Sequence, residues 1–228
     1  MATPRILMVL TSHDRLGKTG QPTGFWLEEF TSPYYAFMDA GAIVTLASIQ
    51  GGQPPIDPKS DQADAQTETT QRFLSNAVAQ QALAQTTPVS EVNAADYDAI
   101  FLPGGHGTMW DFPSSATLTN LLEAFNQSEK VIAAVCHAPA ALVTMKNAAG
   151  EPFVKGRRIT AFTDSEERGV GLETVVPFLL ESRLRELGAQ FEAGQDWGPL
   201  VQQDGNLITG QNPASSEPVA QSVLAALS

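Results

Sequence analysis

A chain of 228 residues carrying 25 Asp and Glu against 13 Lys and Arg has a formal net charge of −12. That balance, with no basic cluster to offset it, argues against a nucleic-acid-binding surface or one that docks on anionic membranes. Apolar residues make up 43% of the chain and charged residues 17%, a composition that can bury one sizeable core and is not that of a disordered chain.

A lone cysteine rules out an internal disulfide, and nothing resembles a zinc ligand set. The first apolar run, Ile6 to Leu10, is too short for a signal-peptide core or a membrane span. The expectation is a single domain over residues 1–228 in a soluble, reducing compartment, with cytoplasm the default.

In chain order, RILMVLTS reads as a buried strand that exits into a glycine-containing loop at 12–24. Residues 25–40 read as a helix closed by Gly41, AIVTLAS as the next strand, and GGQPPIDPKSD as a loop. Helix formers fill 67–85. DAIFLPGG is strand then turn, 114–128 a helix, and KVIAAV a strand running straight into Cys136, with a helix predicted from about His137. Beyond a turn near Gly150 come the strand RRITAF, a helix ending at LLESRLRELGA, and a short strand QFEA. LVQQDGNLITG reads as a hairpin turning at Asp204-Gly205, and a last helix starts near Pro213. Continuous apolar strands alternating with helices predict a doubly wound, mostly parallel α/β sheet covered on both faces, with a small hairpin insertion near the C-terminus. Sites in such sheets form at the carboxyl ends of the strands, and Cys136 is at one of them.

The frame Ala134-Val135-Cys136-His137-Ala138 has the shape of the G-x-S-x-G nucleophile elbow, with alanines and a thiol. Small residues two before and two after the turn let the two arms pass closely. The helix predicted beyond it would favour a thiolate, and Pro139 is tolerated in its first turn. The competing reading is a buried core thiol. Only His13, His106 and His137 can serve as base, and none follows position 137. Class I glutamine amidotransferases and cysteine-type α/β-hydrolases draw their histidine from well downstream, so both fit poorly. His137 adjoins the thiol and needs an orienting carboxylate. His106, in PGGHGT, reads on its own as a loop-packing imidazole, and His13 as a solvated loop residue.

Trp26, Phe30, Tyr34 and Phe37 recur at helical spacing and mark a buried stripe. Glu29 lies at its edge, and Glu28 is turned away by about a further 100°. A carboxylate forced inward must be protonated or hydrogen-bonded, and its pKa rises; alternatively both glutamates simply match the helix dipole. Pro33 removes the amide that would bond the Glu29 carbonyl, which predicts a kink. TDSEERG, after RRITAF, offers Glu166 or Glu167 to orient His137, or is a solvated acidic loop. LPGGHG offers unobstructed amides suited to an oxyanion hole, or is a plain tight turn.

Taken together, AAVCHAPAAL, LPGGHGTMWD, TGFWLEEFTSPYYAF and GGQPPIDPKSD resemble the ThiJ/PfpI superfamily, whose fold is class I glutamine-amidotransferase-like and flavodoxin-like. The similar branch holds the glutathione-independent glyoxalases (glyoxalase III, D-lactate dehydratase) and related heat-shock chaperones with a Cys-His-Glu triad. The likeness spans nearly the whole chain, and the order of its motifs is more specific than any one of them. It implies that Glu29 is the thiol-contacting acid, Cys136 and His137 the elbow pair, and Glu167 the triad glutamate. It places the oxyanion glycine in Gly104-Gly105, at Gly105, assisted by the His137 amide, with His106 beside the substrate. Ala138 departs from a glycine common in relatives but is still small. The implied activity is a lyase-type conversion of methylglyoxal or another small 2-oxoaldehyde to a 2-hydroxy acid, with no cofactor or metal, in a homodimer. Stress chaperone, protein deglycase, redox-sensing module and cysteine peptidase or amidase are the alternative roles.

Overall fold

The computed structural model describes residues 3–228. Its strands are β1 (Arg5–Leu10), β2 (Ile43–Ser48), β3 (Thr87–Pro88), β4 (Ala99–Leu102), β5 (Val131–Val135), β6 (Arg158–Ile159), β7 (Gln190–Phe191), β8 (Val201–Asp204) and β9 (Leu207–Gly210). Seven of these form one sheet in the order β3-β2-β1-β4-β5-β9-β8, parallel except for the β8–β9 pair; β6 and β7 pair separately. The strand order reverses between β1 and β4, so the loops leaving their carboxyl ends flank a crevice of the kind that holds ligands in open α/β sheets. The C-terminal hairpin does not stand outside this sheet. Its second arm, β9, pairs in parallel with β5 and so borders the strand that carries the cysteine.

The helices are α1 (Leu27–Asp39), α2 (Glu68–Leu74), α3 (Ala77–Ala84), α4 (Thr108–Asp111), α5 (Ala116–Gln127), α6 (Asp164–Gly169), α7 (Leu180–Glu186) and α8 (Ser216–Ala226). On one face of the sheet Leu118, Leu122 and Phe125 of α5 and Leu180 and Leu184 of α7 meet Ile132 and Ala134 of β5. On the other, Phe30 and Phe37 of α1, Phe73 of α2 and Val219 and Val223 of α8 meet Val131, Ala133 and Val135. Every residue of β5 is buried because each of its two faces has a helical layer to pack on. Alternation alone would send residue 136 to the first face; the left-handed turn that ends β5 puts Cys136 instead with Val135 on the second, the one α1 covers.

Several elements differ from the sequence expectation. The helical stretch at 67–85 is two helices, broken where Asn76 starts the second by accepting the Ala79 amide through its side chain. α1 continues as one helix on both sides of Pro33. The segment after Cys136 is a five-residue 3-10 turn, Ala138–Leu142, not an α-helix. Pro139 has no amide to donate and disfavours α conformation at the residue before it. A 3-10 turn, Pro213–Ser215, also precedes α8. The acidic stretch at 163–169 is ordered as α6 and is not a solvated loop: Thr163 and Glu166 cap each other's amides at its start. Among the described residues no helix is long and apolar enough to cross a membrane.

Candidate active site

Cys136 occupies the turn at the end of β5 with φ of 62°, a left-handed conformation that costs a non-glycine residue on the order of 1–3 kcal/mol. Its backbone is clamped on both sides. The Cys136 amide donates to the Gly210 carbonyl at 2.9 Å, and its carbonyl accepts the Phe162 amide at 2.9 Å. Ala134 and Ala138 are both fully buried, where the close approach of the two arms leaves no room for longer side chains.

Three side chains converge on the thiol and on one another. His137 Nδ1 is 3.2 Å from Cys136 Sγ, and His137 Nε2 is 2.7 Å from Glu167 Oε2. The other oxygen, Glu167 Oε1, lies 2.8 Å from His106 Nε2. The two imidazole rings are 4.1 Å apart between centroids, and Phe162 packs on His137 at 4.2 Å. Glu167 is held well below the usual carboxylate range by these imidazoles, which outweigh its burial. It is therefore ionised, and each facing nitrogen donates a proton to it. Burial, reinforced by His106, pushes His137 below the usual imidazole range. The ring is neutral, with its Nδ1 lone pair facing sulfur.

Glu29 closes the other side of the thiol. α1 delivers it there because Ser60 Oγ accepts the Leu27 amide at 3.0 Å and the Gly104 carbonyl accepts the Trp26 amide at 3.1 Å, which dock the helix start on the sheet. The side chain is fully buried; Oε2 accepts the Gly104 amide at 2.8 Å, while Oε1 has no partner of hydrogen-bonding geometry among the described residues. Burial first, then Glu28 and Asp57, raise this carboxyl far above its ordinary value, so it is protonated at neutral pH and its neighbour is the Cys136 thiol. Burial and Glu29 push the thiol up as well. This corrects the expectation of a thiol lowered by a helix N-terminus: among the described residues a 3-10 turn follows Cys136 and no α-helix starts there, and the resting sulfur keeps its proton until a base removes it.

The glycine turn divides its amides. Gly104 donates to Glu29, so it is not free to stabilise an oxyanion. The Gly105 amide has no acceptor among the described residues, and the His137 amide faces the Cys136 sulfur. Both glycines are sterically required. A Cβ on Gly104 would lie 2.5 Å from Glu29 Oε2, and one on Gly105, whose φ is +104°, would lie 2.5 Å from both the Gly24 carbonyl oxygen and the Trp26 nitrogen. A cleft of about 420 Å3 opens at His106, lined also by Trp26, Asp57, Lys59, Val170 and Leu172. His106 is the member of the cluster that lines it, and Cys136 itself is only 3% exposed.

The structure therefore brings together Cys136, His137, Glu167, Glu29, Gly105 and His106. His106 packs on Glu167 instead of merely filling a loop, and His13 is stacked on Trp110, 5.1 Å between centroids, away from this cluster. Glu166, the alternative to Glu167, is fully buried in structural bonds: it accepts from Thr163, from the Trp197 amide at 2.9 Å and from Asn212 at 2.8 Å. The spacing Thr163-x-x-Glu166 is a capping-box signature that could have separated the two glutamates in the sequence. The pairing of His106 with Glu167 had no signal in the chain. Donor atoms of His106, His137 and Glu167 lie within 4.8 Å of one another and could take a metal ion, although each facing pair is already a short hydrogen bond.

The chain has relatives among known proteins. The chain is 32% identical over 230 residues to the glutathione-independent glyoxalase HSP31 of Saccharomyces cerevisiae, covering 96% of each. Among solved structures it is similar to the Rapid Encystment Protein 24 kDa of Francisella tularensis, with a TM-score of 0.94, 38% identity, and 99% and 100% of the two chains covered. It is also similar to glyoxalase III from Candida albicans, with a TM-score of 0.90, 28% identity, and 98% and 97% covered. A profile of the DJ-1/PfpI family matches residues 22–226, and with these full-length likenesses the chain belongs to that family.

Proposed function

We propose that the protein is a glutathione-independent glyoxalase that converts methylglyoxal, or a similar 2-oxoaldehyde, to a 2-hydroxy acid through a covalent adduct on Cys136. The observation that carries this reading is the unbroken line of contacts from Glu29 through Cys136 and His137 to Glu167 at a strained elbow. Full-length relatives bearing that activity in their names support it.

His137 Nδ1 takes the thiol proton, and its imidazolium is stabilised by the ionised Glu167. The thiolate adds to the aldehyde carbon, and the carbonyl electron pair moves to an oxygen facing the Gly105 and His137 amides, where Glu29 supplies a proton. Buried and now ionised, Glu29 has a high proton affinity and withdraws the hydrogen on that carbon. The electrons shift to the ketone oxygen, which the imidazolium protonates, giving an enediol. Return of the proton from Glu29 to the second carbon, with loss of the first hydroxyl proton to His137, leaves a thioester of the 2-hydroxy acid. Water hydrolyses it and restores the thiol.

The test is a chiral lactate assay of purified protein with methylglyoxal in glutathione-free buffer. Lactate is expected from the wild type and not from Cys136→Ala; no lactate, or equal amounts from both, contradicts the reading.

A further inference from the structure

Thioester hydrolysis needs a base for water, and the groups around the sulfur are otherwise engaged. His137 directs Nδ1 at Sγ and Nε2 at Glu167, and Glu29 sits behind the thiol with no exposure. His106 differs from both. Glu167 binds it just as it binds His137, one oxygen to each Nε2, at 2.8 and 2.7 Å. A carboxylate fixing one imidazole nitrogen leaves the other as an oriented lone pair, the arrangement of a catalytic dyad. His106 Nδ1 makes no hydrogen bond among the described residues. The His106 side chain is 12% exposed against 1% for His137, and it lines the cleft, the side open to solvent.

From this we infer that one carboxylate serves two bases: Glu167 orients His137 for the sulfur and His106 for the water that hydrolyses the thioester. The inference rests on the glyoxalase reading and assigns its last step. Water attacks the thioester carbon while His106 Nδ1 takes its proton. The new C–O bond forms, the C–S bond breaks, and its electron pair leaves as the Cys136 thiolate, which takes back the proton of the His137 imidazolium, while the proton gained by His106 replaces the one Glu29 gave up as the 2-hydroxy acid departs. The adjacent Gly105 turn places the oxyanion donor and this base on consecutive residues.

The role separates experimentally from a structural one, because its loss stalls the reaction after the adduct has formed. In His106→Asn, steady-state lactate production should fall on the order of 100-fold, the size of a general-base contribution. Acid-quenched protein should accumulate a mass increase of one methylglyoxal on Cys136 at nearly the wild-type rate. The hemithioacetal and the thioester have the same mass, but only the thioester yields a hydroxamate with hydroxylamine. Added after free methylglyoxal has been removed, hydroxylamine, a nucleophile that needs no base, should release the adduct from Cys136 as the hydroxamate. Unchanged turnover overturns the inference, as does adduct formation that slows in step with turnover in both His106→Asn and His106→Gln. Wild-type protein run alongside reports on the parent reading by itself: without lactate there, the glyoxalase assignment fails and not the division of labour.

Discussion

A single carboxylate organises the residues of the site. Glu167 carries its charge between two imidazoles while almost fully buried, and that charge fixes which nitrogen of each ring is protonated. Glu167→Gln keeps the shape and removes the charge, so both rings lose their fixed tautomer and His137 loses the partner of its imidazolium. Turnover should fall by about 10²–10⁴-fold with a smaller change in KM. Steady-state kinetics alongside a thermal unfolding midpoint check this, and full activity in the variant would remove Glu167 from the mechanism. Cys136 and His137 were legible in the chain because an elbow demands small flanking residues, and alanines stand at both places. Choosing between Glu166 and Glu167 was not possible from composition: adjacent acidic residues look alike until one is seen capping α6 and the other reaching the imidazoles.

At the scale of elements, α1 carries two neighbouring glutamates with separate tasks. The apolar stripe placed Glu29 at a buried edge, as found. Glu28 was expected to turn away from the core; instead α8 covers that side, and Ser216 Oγ donates to Glu28 at 3.2 Å. The periodicity of one helix reports its primary buried face and cannot reveal a second helix packed alongside, which arrives from the far end of the chain. Burial raises the Glu28 carboxyl from 4.5 to about 7. The folded chain thus holds this proton more tightly than the unfolded chain. The resulting stabilisation is complete below about pH 4.5 and is lost as pH rises through about 7. Relative to Glu28→Gln, wild-type stability should decline across that window, measured as urea midpoints at successive pH values. Parallel curves for the two proteins would contradict the burial of this group between α1 and α8. The missing helix after Cys136 has a comparable origin: Pro139 is acceptable in the first turn of an α-helix, so its presence did not distinguish that helix from the 3-10 turn observed.

For the whole molecule, the α/β class was readable because strands buried on both faces must be continuously apolar, and β1, β4 and β5 are. Less readable was where the C-terminal hairpin would go, since strand neighbours far apart in sequence leave no periodic trace. The hairpin matters to the chemistry: β9 holds the Cys136 amide through Gly210 and so helps to enforce the strained turn. The sheet, α1 from one face and α6 beyond β6 thus deliver an acid, a thiol, two imidazoles and a carboxylate to one end of the fold, beneath a cleft edged by Trp26 and Lys59. The proposed chemistry requires this assembly to make a bond to sulfur. Single-turnover mixing with methylglyoxal, acid quenching and peptide mass analysis test it most directly. A transient adduct is expected on the peptide containing Cys136, forming and decaying at rates compatible with turnover. Lactate production with no modification of that peptide at any time point, or adducts confined to lysine and arginine side chains, would contradict it.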